Sequence, residues 1–540
     1  MNNLRFVDSG EELSFAPWEA SVDKTYYLVL PSFYQKKNFT CSIIYDDNFY
    51  SFFIDGQRYQ SGDQWSEPLM EDVHDLTIVD WFGNVHMEKK FQVLVSEKLP
   101  SVFVTVEEKE ALMEVEEYAN KQYVEKGHIV AMDETGNVVL EEQMERFKVR
   151  GNLTATLEKK PFTITLPESA SLYGMSRSVN WHLLANATDG SHIRNKIMLD
   201  WADEVFDTYQ PGGTYVDFYL NGEYQGLYFL SETIEVQQER VNIDSQNSLL
   251  LEMELYERAI SEENHVVTKR GHYFVIHKDY PMSWQELEEV RNYVNDIENA
   301  LYAEDGISEI SGRPLSQLID FDSWSDAWLL EEISADHDLG NTSQFCIVED
   351  WENRSALKAG PSWDFDLTLG NAMIPMAENP RNLMAAIHDT RGIQSVSQNR
   401  WLSQMYLHEE FYELLREKFV GEAEPKIESL LNDEIEQYTN HIRRASVLNF
   451  LRWNGNGISQ IIKRPDGFSY KKEADYKKYD VIDQHTKLIK TFLEEKKEFL
   501  HELWVEQVEF EVIVEDWNIP GMNLELNNNV YTWIRKEEME

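Results

Sequence analysis

Residues 360–366 read Gly-Pro-Ser-Trp-Asp-Phe-Asp, and this stretch says more about the fold and chemistry of the chain than any other. In an extended segment, residues two apart point the same way. The carboxylates of Asp364 and Asp366 can therefore face one ion while Phe365 turns into the core. Mg²⁺ prefers hard oxygen ligands and usually takes one or two carboxylates, with phosphates and water completing its shell. The stretch predicts a divalent-metal site.

The composition around this stretch is that of an acidic globular protein. Hydrophobic residues make up 42% of the 540 residues and aromatic residues 12%, which is enough to bury sizeable cores. The formal net charge of −48 repels polyanions and argues against electrostatic binding to nucleic acid. Cys41 and Cys346 lie too far apart in sequence for a CxxC metal motif, and we predict that both are small core residues.

The sequence also lacks the features of membrane insertion. The first residues carry no apolar run of the signal-peptide kind, and no stretch of about 18 apolar residues could span a bilayer. We therefore expect a soluble chain with no transmembrane segment. The sequence does not indicate its cellular compartment.

Short strand-like runs punctuated by Asp and Gly fill residues 1–97 and predict a β-sandwich module. Strands continue beyond it, and helices dominate after about Trp284. Further expectations are hairpins at Asp133–Asn137 and Asn221–Gly222, a strand at Phe162–Leu166, helical spacing from about Val179 to Phe206, a strand at Gln344–Val348, helices over 401–505 and a strand near Phe510–Val514.

Several motifs stand in a fixed order before the acidic stretch. They are Arg150-Gly151-Asn152 followed by Lys159-Lys160-Pro161-Phe162, Leu183-Leu184-Ala185-Asn186 through Arg194-Asn195, Leu220-Asn221-Gly222-Glu223-Tyr224 through Glu232, and Glu332-Ile333-Ser334-Ala335-Asp336-His337-Asp338. Together with residues 360–371 they resemble the motifs of the spore-coat protein H (CotH) family of atypical protein kinases. Any one motif alone would be weak evidence, whereas five in order are strong evidence.

The resemblance implies an α+β fold with a two-lobed protein-kinase-like domain. Residues 98–505 would form this domain, with a β-rich N-lobe over about 98–250 and a helical C-lobe over about 251–505. The small all-β sandwich of residues 1–97 would precede it. Residues 506–540 would form a strand-containing appendage.

The implied activity is ATP-dependent phosphoryl transfer to Ser or Thr of a protein substrate, with Mg²⁺ or Mn²⁺ as the metal. The resemblance also suggests a bacterial protein of a spore coat, cell envelope or extracellular setting. Two alternatives stay open. One is a catalytically degenerate, kinase-like scaffold or coat assembly protein, and the other is nucleotidyl (AMP) transfer on the same fold.

The resemblance assigns the catalytic aspartate to Asp338, with Asp336 as the rival. Alignment through the whole segment from Glu332 favours Asp338 and makes Ser343, five residues later, a metal ligand beside Asp364 and Asp366. A spacing of five residues from Asp336 instead reaches Asn341, which is the metal-binding asparagine spacing of typical kinases.

Nucleotide binding falls to four further residues by the same resemblance. Lys160, rather than its neighbour Lys159, is expected to contact the phosphates, since alternation along a strand sends only one of the two into the cleft. Arg150 and Arg194 can bind phosphate or pair with acidic cleft residues. Glu232 can pair with a lysine or help order the metal site.

Two departures from the family pattern bear on activity. The family usually continues Arg-Gly-Asn with Ser-Thr-Trp, whereas this chain has Leu153-Thr154-Ala155 and so lacks one loop hydroxyl. Asp336 replaces an asparagine-like position and adds a negative charge beside the predicted metal site. Because of both changes, a catalytically degenerate, kinase-like scaffold stays an alternative to an active kinase.

Overall fold

The computed structural model describes residues 4–10, 13–67, 71–114, 123–151, 153–336, 342–372, 375–386, 400–453, 480–516 and 529–538. The strands are β1 Arg5–Asp8, β2 Ser14–Phe15, β3 Trp18–Glu19, β4 Tyr26–Leu30, β5 Phe39–Ile44, β6 Tyr50–Ile54, β7 Gln57–Tyr59, β8 Gln64–Glu67, β9 Val73–Asp80, β10 Val85–Val95, β11 Ser101–Val106, β12 Glu125–Met132, β13 Val138–Val149, β14 Phe162–Ala170, β15 Ser178–Leu184, β16 Gly213–Leu220, β17 Glu223–Ser231, β18 Leu249–Glu254, β19 His265–Val267, β20 Tyr273–Ile276, β21 Gln344–Val348, β22 Lys358–Ala359, β23 Phe510–Asp516 and β24 Asn529–Arg535.

The helices follow mostly after residue 280. They are α1 Lys109–Met113, α2 Leu153–Thr156, α3 Arg194–Val205, α4 Tyr256–Ala259, α5 Trp284–Leu301, α6 Leu315–Leu318, α7 Phe321–Ser334, α8 Pro375–Glu378, α9 Arg400–Met405, α10 Glu409–Lys418, α11 Glu424–Ser429, α12 Ile435–Trp453 and α13 Asp480–Trp504. Single π-helical turns join α10 to α11 and α11 to α12, and short 3₁₀ turns lie at Ser32–Lys36 and Lys536–Glu538.

Two sheets pack face to face at the start of the chain. One has the strand order β2-β1-β5-β8 and the other β3-β4-β10-β9-β6-β7. Phe6 of the first sheet stacks on Phe91 of the second with ring centroids 5.3 Å apart, and it also contacts Phe52. Buried Leu448 and Leu451 of α12 complete the same core. The expected β-rich N-terminal region is confirmed.

The next seven strands close into a barrel in the order β11-β12-β13-β14-β15-β17-β16, which the sequence did not predict. A parallel pairing of β11 with β16 closes it, with Val104 opposite Leu220. The hairpin between β16 and β17 has φ angles of 50° at Asn221 and 78° at Gly222, as the tight-turn prediction required. Apolar side chains from every strand fill the barrel, among them Phe147 and Trp181.

The helix expected from Val179 to Phe206 is partly wrong. Residues 178–184 form β15, and only residues 194–205 are helical, as α3. β15 lies between β14 and β17 in the barrel, with Leu183 opposite both Phe162 and Leu230. Pairing on both edges of the strand overrides the local apolar spacing, because buried backbone groups must be hydrogen-bonded.

A five-stranded sheet, β19-β20-β18-β21-β22, connects the barrel to the helices. The predicted strand Gln344–Val348 is its β21. α5 begins with a capping box in which the Ser283 side chain accepts from the Glu286 backbone while the Glu286 carboxylate accepts from the Ser283 backbone. The predicted helical region is thus confirmed over its described residues, and β23 pairs with β24 near the C-terminal end.

Both cysteines are buried, as predicted. In the parts of the chain that the structure describes, no helix is long and apolar enough to cross a membrane.

Candidate functional site

A cavity of about 650 Å³ opens between the outer face of the barrel and the five-stranded sheet. One wall comes from β13, β14 and β15 of the barrel. The opposite wall comes from β18 and the start of β21, and the segment 363–367 borders both.

Three cations in a row on one side of β13 form the basic wall of this cavity. Arg146, Lys148 and Arg150 all line it. Between them Phe147 and Val149 point into the barrel and are at most 1% exposed. The alternation of a strand therefore separates a barrel core from a basic surface within five residues. Such a wall is suited to neutralising a polyphosphate.

The acidic stretch lies beside this wall. Asp364 and Asp366 both line the cavity, while Phe365 is fully buried and its backbone N–H donates to Asn195 Oδ1 at 2.8 Å. The local backbone is not the extended one that the sequence suggested, because Asp364 has a φ of 72°. The two carboxylates reach the same cavity through this turn. Asp366 accepts a hydrogen bond from the Thr188 hydroxyl at 2.5 Å.

Trp363 connects the acidic stretch to the basic wall. Its ring lies 5.6 Å from the Arg150 guanidinium carbon and 5.8 Å from the His182 ring. Burial lowers the pKa of Arg150, and the charges of Asp364 and Asp366 oppose that change. The guanidinium is therefore held charged between an aromatic ring and two carboxylates.

His182 on β15 is a neutral imidazole at the edge of the same cavity. Burial lowers its pKa well below the usual value, and the charges of Arg150, Arg240 and Lys148 lower it further. Its Nδ1 atom is buried and has no hydrogen-bond partner among the described residues. A buried polar atom without a partner is costly, so this nitrogen is suited to hydrogen-bonding a ligand.

Opposite the basic wall, the cavity is acidic. Glu252 and Glu254 alternate on β18 and line it, together with Glu235. Arg258 follows in α4 and donates to Glu254 Oε1 at 2.9 Å and to the Thr342 hydroxyl at 2.6 Å. Burial raises the pKa of Glu254, and Arg258 counteracts that rise. The cavity thus has a basic and an acidic side.

Arg194 lies behind the site and does not line it. Its side chain is fully buried and forms an ion pair with Asp189 at 2.5 Å. It also donates to the carbonyls of Thr368 at 2.8 Å and Leu369 at 3.2 Å. In this position the guanidinium fixes the backbone that directly follows Asp366.

Glu232 is also buried outside the described cavity lining. Its carboxylate accepts from the backbone N–H groups of Ser176 at 2.6 Å and Gly212 at 3.0 Å, and from the Tyr209 hydroxyl at 2.8 Å. These bonds hold the end of β17, from which Glu235 follows into the cavity.

Lys160 and Lys159 both point into the protein. Lys160 Nζ donates to the carbonyls of Ala155 at 2.9 Å and Leu157 at 3.1 Å. Lys159 Nζ donates to the carbonyls of Ala185 and Leu227, and burial lowers its pKa. The described residues that line the cavity include neither lysine, and the phosphate contact that the resemblance gives Lys160 stays a prediction.

The remaining predicted residues follow α7 in the sequence. α7 ends at Ala335 with a φ of 49°, and Asp336 behind it is buried. Ser343 lines the cavity with a φ of 61°. Asp338 and Asn341 lie outside the described residues, as does Asn152, so the choice between Asp336 and Asp338 stays a prediction.

The site residues that sequence reasoning missed are Arg146, Lys148, Arg258, His182, Glu235 and the glutamates of β18. Alternation of basic and apolar residues over 146–150 was a readable signal for the first two. The glutamates also alternate with Leu251 and Met253, but nothing local shows which cavity they face.

The donor set fits a hard divalent cation. Asp364 and Asp366 offer carboxylate oxygens and Ser343 a hydroxyl, all lining one cavity. Over the described residues, no group of three or more His, Cys, Asp or Glu side chains is arranged to hold a metal ion. Mg²⁺ usually keeps several waters and takes only one or two protein carboxylates, so a two-aspartate site agrees with its chemistry.

The chain was compared with curated proteins, with solved structures and with protein families, and only the family match covers most of the chain. No curated protein matches significantly. A solved structure of SGBP-B from the mixed-linkage glucan utilization locus of Bacteroides ovatus, in complex with a mixed-linkage heptasaccharide, aligns at 10% identity over 50% of this chain and 90% of that chain. The TM-score of this alignment is 0.10. The family described as CotH kinase protein matches residues 147–500. The chain therefore belongs to the CotH kinase protein family.

Proposed function

We propose that this chain is an atypical protein kinase that transfers the γ-phosphate of ATP to Ser or Thr of a protein substrate, using Mg²⁺ or Mn²⁺. The observation that carries the proposal is that Asp364 and Asp366 line one cavity together with Arg146 and Lys148 of β13 and with Arg150 directly after it. Family membership supports a kinase, and phosphoryl transfer depends on positioning and charge neutralisation more than on covalent chemistry. The substrate class is part of the proposal.

In this proposal the barrel and the helical region act as the two lobes, with the cavity as the cleft between them. The divisions near residues 97 and 505 belong to the same proposal. Asp364 and Asp366, aided by the Ser343 hydroxyl, would hold the metal, which neutralises phosphate charge when bound. Lys148 and Arg150 would contact the phosphates, and Arg194 would position the segment that carries Asp366.

Nucleotide binding is the first test. ATP with Mn²⁺ should raise the melting temperature of the wild-type chain, and Asp364→Ala should abolish that rise because one metal ligand is gone. The matched control is Asp203→Ala, an exposed aspartate on α3, which should keep the full rise. Absence of any rise in the wild-type chain would support the degenerate scaffold instead.

The cations offer a second binding test. Arg150→Gln should weaken ATP binding by about tenfold, as expected for loss of one charge-assisted hydrogen bond of about 1.4 kcal/mol. Lys160→Gln should mainly lower the melting temperature, since its ammonium is bonded to the carbonyls of Ala155 on α2 and of Leu157 just after it. If the Lys160 variant binds ATP more weakly and the Arg150 variant does not, Lys160 is the residue that contacts the phosphates.

In this proposal, catalysis depends on an aspartate in the residues that follow α7. We expect Asp338→Asn to abolish transfer to a protein acceptor while leaving ATP binding intact, since a general base is lost but not a phosphate contact. Loss of transfer in Asp336→Asn alone would reverse the assignment. Mass spectrometry of the acceptor distinguishes an added phosphate from an added AMP, and an AMP product would replace the kinase proposal with nucleotidyl transfer.

A further inference from the structure

A second cavity, of about 510 Å³, opens between the two N-terminal sheets at one end of the sandwich. Aromatic side chains dominate its apolar lining. Tyr26, Tyr50 and Phe52 come from one sheet, and Tyr45 follows the last residue of β5 in the other. Cavities of this size lined by aromatic rings with a few polar groups are typical of small-ligand sites.

The polar groups in this cavity lie where a sandwich core is normally apolar. Lys89 and Glu19 both line it and form an ion pair at 3.3 Å, and Asp46 and His86 complete the polar lining. The Lys89 and Glu19 side chains are 32% and 31% exposed, so this end of the sandwich is open to water. The charges of Lys89 and Glu19 cancel, and Asp46 adds one further carboxylate, so the lining disfavours an anionic ligand and suits an uncharged one rich in hydrogen-bonding groups.

Three exposed aromatic rings lie at the ends of β6 and β9, two of the strands that line the cavity. Phe49, Trp81 and Phe82 are 64%, 77% and 84% exposed. Tyr50 pairs with Asp80 across the β6–β9 ladder, and the antiparallel register therefore places Phe49 next to Trp81 just beyond the strand ends. Large exposed rings that lie together commonly mark a binding site.

Hydrogen bonds hold the turn that carries two of these rings. Asp80 Oδ1 accepts from the backbone N–H groups of Phe82 and Asn84, both at 2.9 Å. Asp80 Oδ2 lies 3.0 Å from the Asn84 side-chain amide and from His86 Nε2. The His86 ring in turn contacts Tyr50 inside the cavity at 5.6 Å between centroids. The turn and the cavity are thus one hydrogen-bonded and packed unit.

We infer that this unit binds a neutral carbohydrate chain, with the sugar faces stacked on Phe49, Trp81 and Phe82 and the hydroxyls bonded in the cavity. Sugars present apolar C–H faces and many hydroxyls. A carboxylate accepts from those hydroxyls, an ammonium donates to them, and flat rings cover the apolar faces. The net charge of −48 disfavours an anionic polymer or an anionic lipid surface as the ligand.

Affinity electrophoresis of the full chain tests this inference. Native gels would contain hydroxyethylcellulose, galactomannan, glucomannan or pullulan. At least one polymer should retard the wild-type chain, and Trp81→Ala combined with Phe82→Ala should weaken that binding by about tenfold or more because stacking is lost. Tyr50→Ala, inside the cavity, should weaken it as well.

Trp284→Ala is the matched control. Trp284 is 75% exposed at the first position of α5, far along the chain from the sandwich, and its removal should leave retardation unchanged. No retardation by any of the four polymers would overturn the inference, and so would retardation that survives loss of all the named rings. Co-sedimentation with phosphatidylcholine vesicles is a further check. If the wild-type chain co-sediments and Trp81→Ala does not, the rings bind lipid and the carbohydrate inference is wrong.

This readout is independent of nucleotide. Asp364→Ala should bind the retarding polymer as well as the wild-type chain does, so failure of the kinase proposal and failure of the carbohydrate inference are distinguishable.

Discussion

Asp217 on β16 is a buried carboxyl at the junction between the barrel and the sandwich core. Its side chain is fully buried and accepts from the Tyr224 hydroxyl at 3.0 Å, and Tyr224 itself belongs to the sandwich core. Burial raises the pKa of Asp217 from 3.8 to about 7. The folded protein thus holds a proton at this site that the unfolded chain releases at much lower pH.

This pKa gives stability a defined dependence on pH. The protonated carboxyl adds its full contribution to the free energy of unfolding below about pH 4. This contribution, up to about 4 kcal/mol, is lost as the pH rises through about 7. Asp217→Asn should remove this loss, so the variant gains stability over the wild-type chain between about pH 5 and about pH 8 in denaturant unfolding. Asp203→Asn, on an exposed carboxyl, is the control. An equal pH slope in wild type and Asp217→Asn would contradict the prediction.

At the same scale, the candidate site was only partly readable from sequence. Asp364 and Asp366 could be named because two acids flank one aromatic residue, and both line the cavity. Arg146 and Lys148 follow from alternation with buried Phe147, although no motif drew attention to them. Nothing local marks the glutamates of β18, since their meeting with β13 depends on how two distant sheets pack.

Among the elements, α12 packs on β17 at a glycine. A Cβ atom on Gly226, whose φ is 103°, would lie 2.3 Å from Asn449 Oδ1. That oxygen accepts from the Leu227 backbone at 3.2 Å, and Trp453 Nε1 donates to the Gln225 carbonyl at 2.7 Å. Side chains of α12 thus hydrogen-bond directly to the backbone of β17, and only a glycine at position 226 leaves room for Asn449.

Gly226→Ala should therefore destabilise the chain for two reasons, backbone strain and a clash with Asn449. Gly174→Ala shares the first reason alone, because its φ is 82° and no atom lies within 4 Å of the added Cβ. We expect the Gly174 variant to lose about 1–2 kcal/mol and the Gly226 variant clearly more, measured by denaturant unfolding. Equal losses would show that α12 moves away at little cost.

α7 and α13 are joined by a buried ion pair. Lys496 Nζ contacts the Glu332 carboxylate and donates to the Asn382 carbonyl at 2.5 Å, and both side chains are fully buried. Glu332 also accepts from the Ala385 backbone at 2.7 Å. This pair fixes the end of the helix from which the loop with Asp336 departs.

Breaking this pair from one side should be costly. Lys496→Met leaves Glu332 buried without its cation and should cost about 3–5 kcal/mol of unfolding free energy. The double variant Lys496→Met with Glu332→Gln should recover part of that loss, since no uncompensated charge remains. A double-mutant cycle by denaturant unfolding measures the coupling. Strictly additive losses would show that the two side chains act independently.

The strand that replaced part of the predicted helix shows where element prediction fails. Residues 179–184 contain apolar residues at both strand-like and helical spacings, so the local pattern does not decide between them. The decision comes from β14 and β17, which pair with the two edges of β15. By contrast, the Asn221–Gly222 hairpin was predictable because a tight turn needs positive φ at both residues.

For the whole molecule, the net charge of −48 is the dominant property. Self-repulsion among carboxylates opposes the compact state, and exposed ion pairs add little to stability. The melting temperature should therefore rise as NaCl is added from low to physiological ionic strength, because salt screens the repulsion. A falling melting temperature would show that attractive pairs dominate.

MgCl₂ at equal ionic strength provides the comparison for that experiment. Any additional rise with MgCl₂ that Asp364→Ala removes reports binding at the cavity rather than screening. A rise that persists in this variant would place the divalent-ion effect elsewhere on the acidic surface.

Closure of the barrel could not be predicted from the sequence, because the two strands that close it are far apart in the chain. β11 pairs in parallel with β16, and more than a hundred residues separate them. Each strand was recognisable from its own composition, but a pairing between distant strands leaves no local signal.

The same pairing imposes an order on synthesis. Every strand of the two N-terminal sheets has been translated once Val95 is added, whereas the barrel cannot close until β17, which lies between β15 and β16, ends at Ser231. Between these two points, β11 has one edge unpaired, and such an edge readily pairs with another chain. A pause in translation between residues 106 and 231 would therefore prolong the interval in which nascent chains are most prone to aggregate.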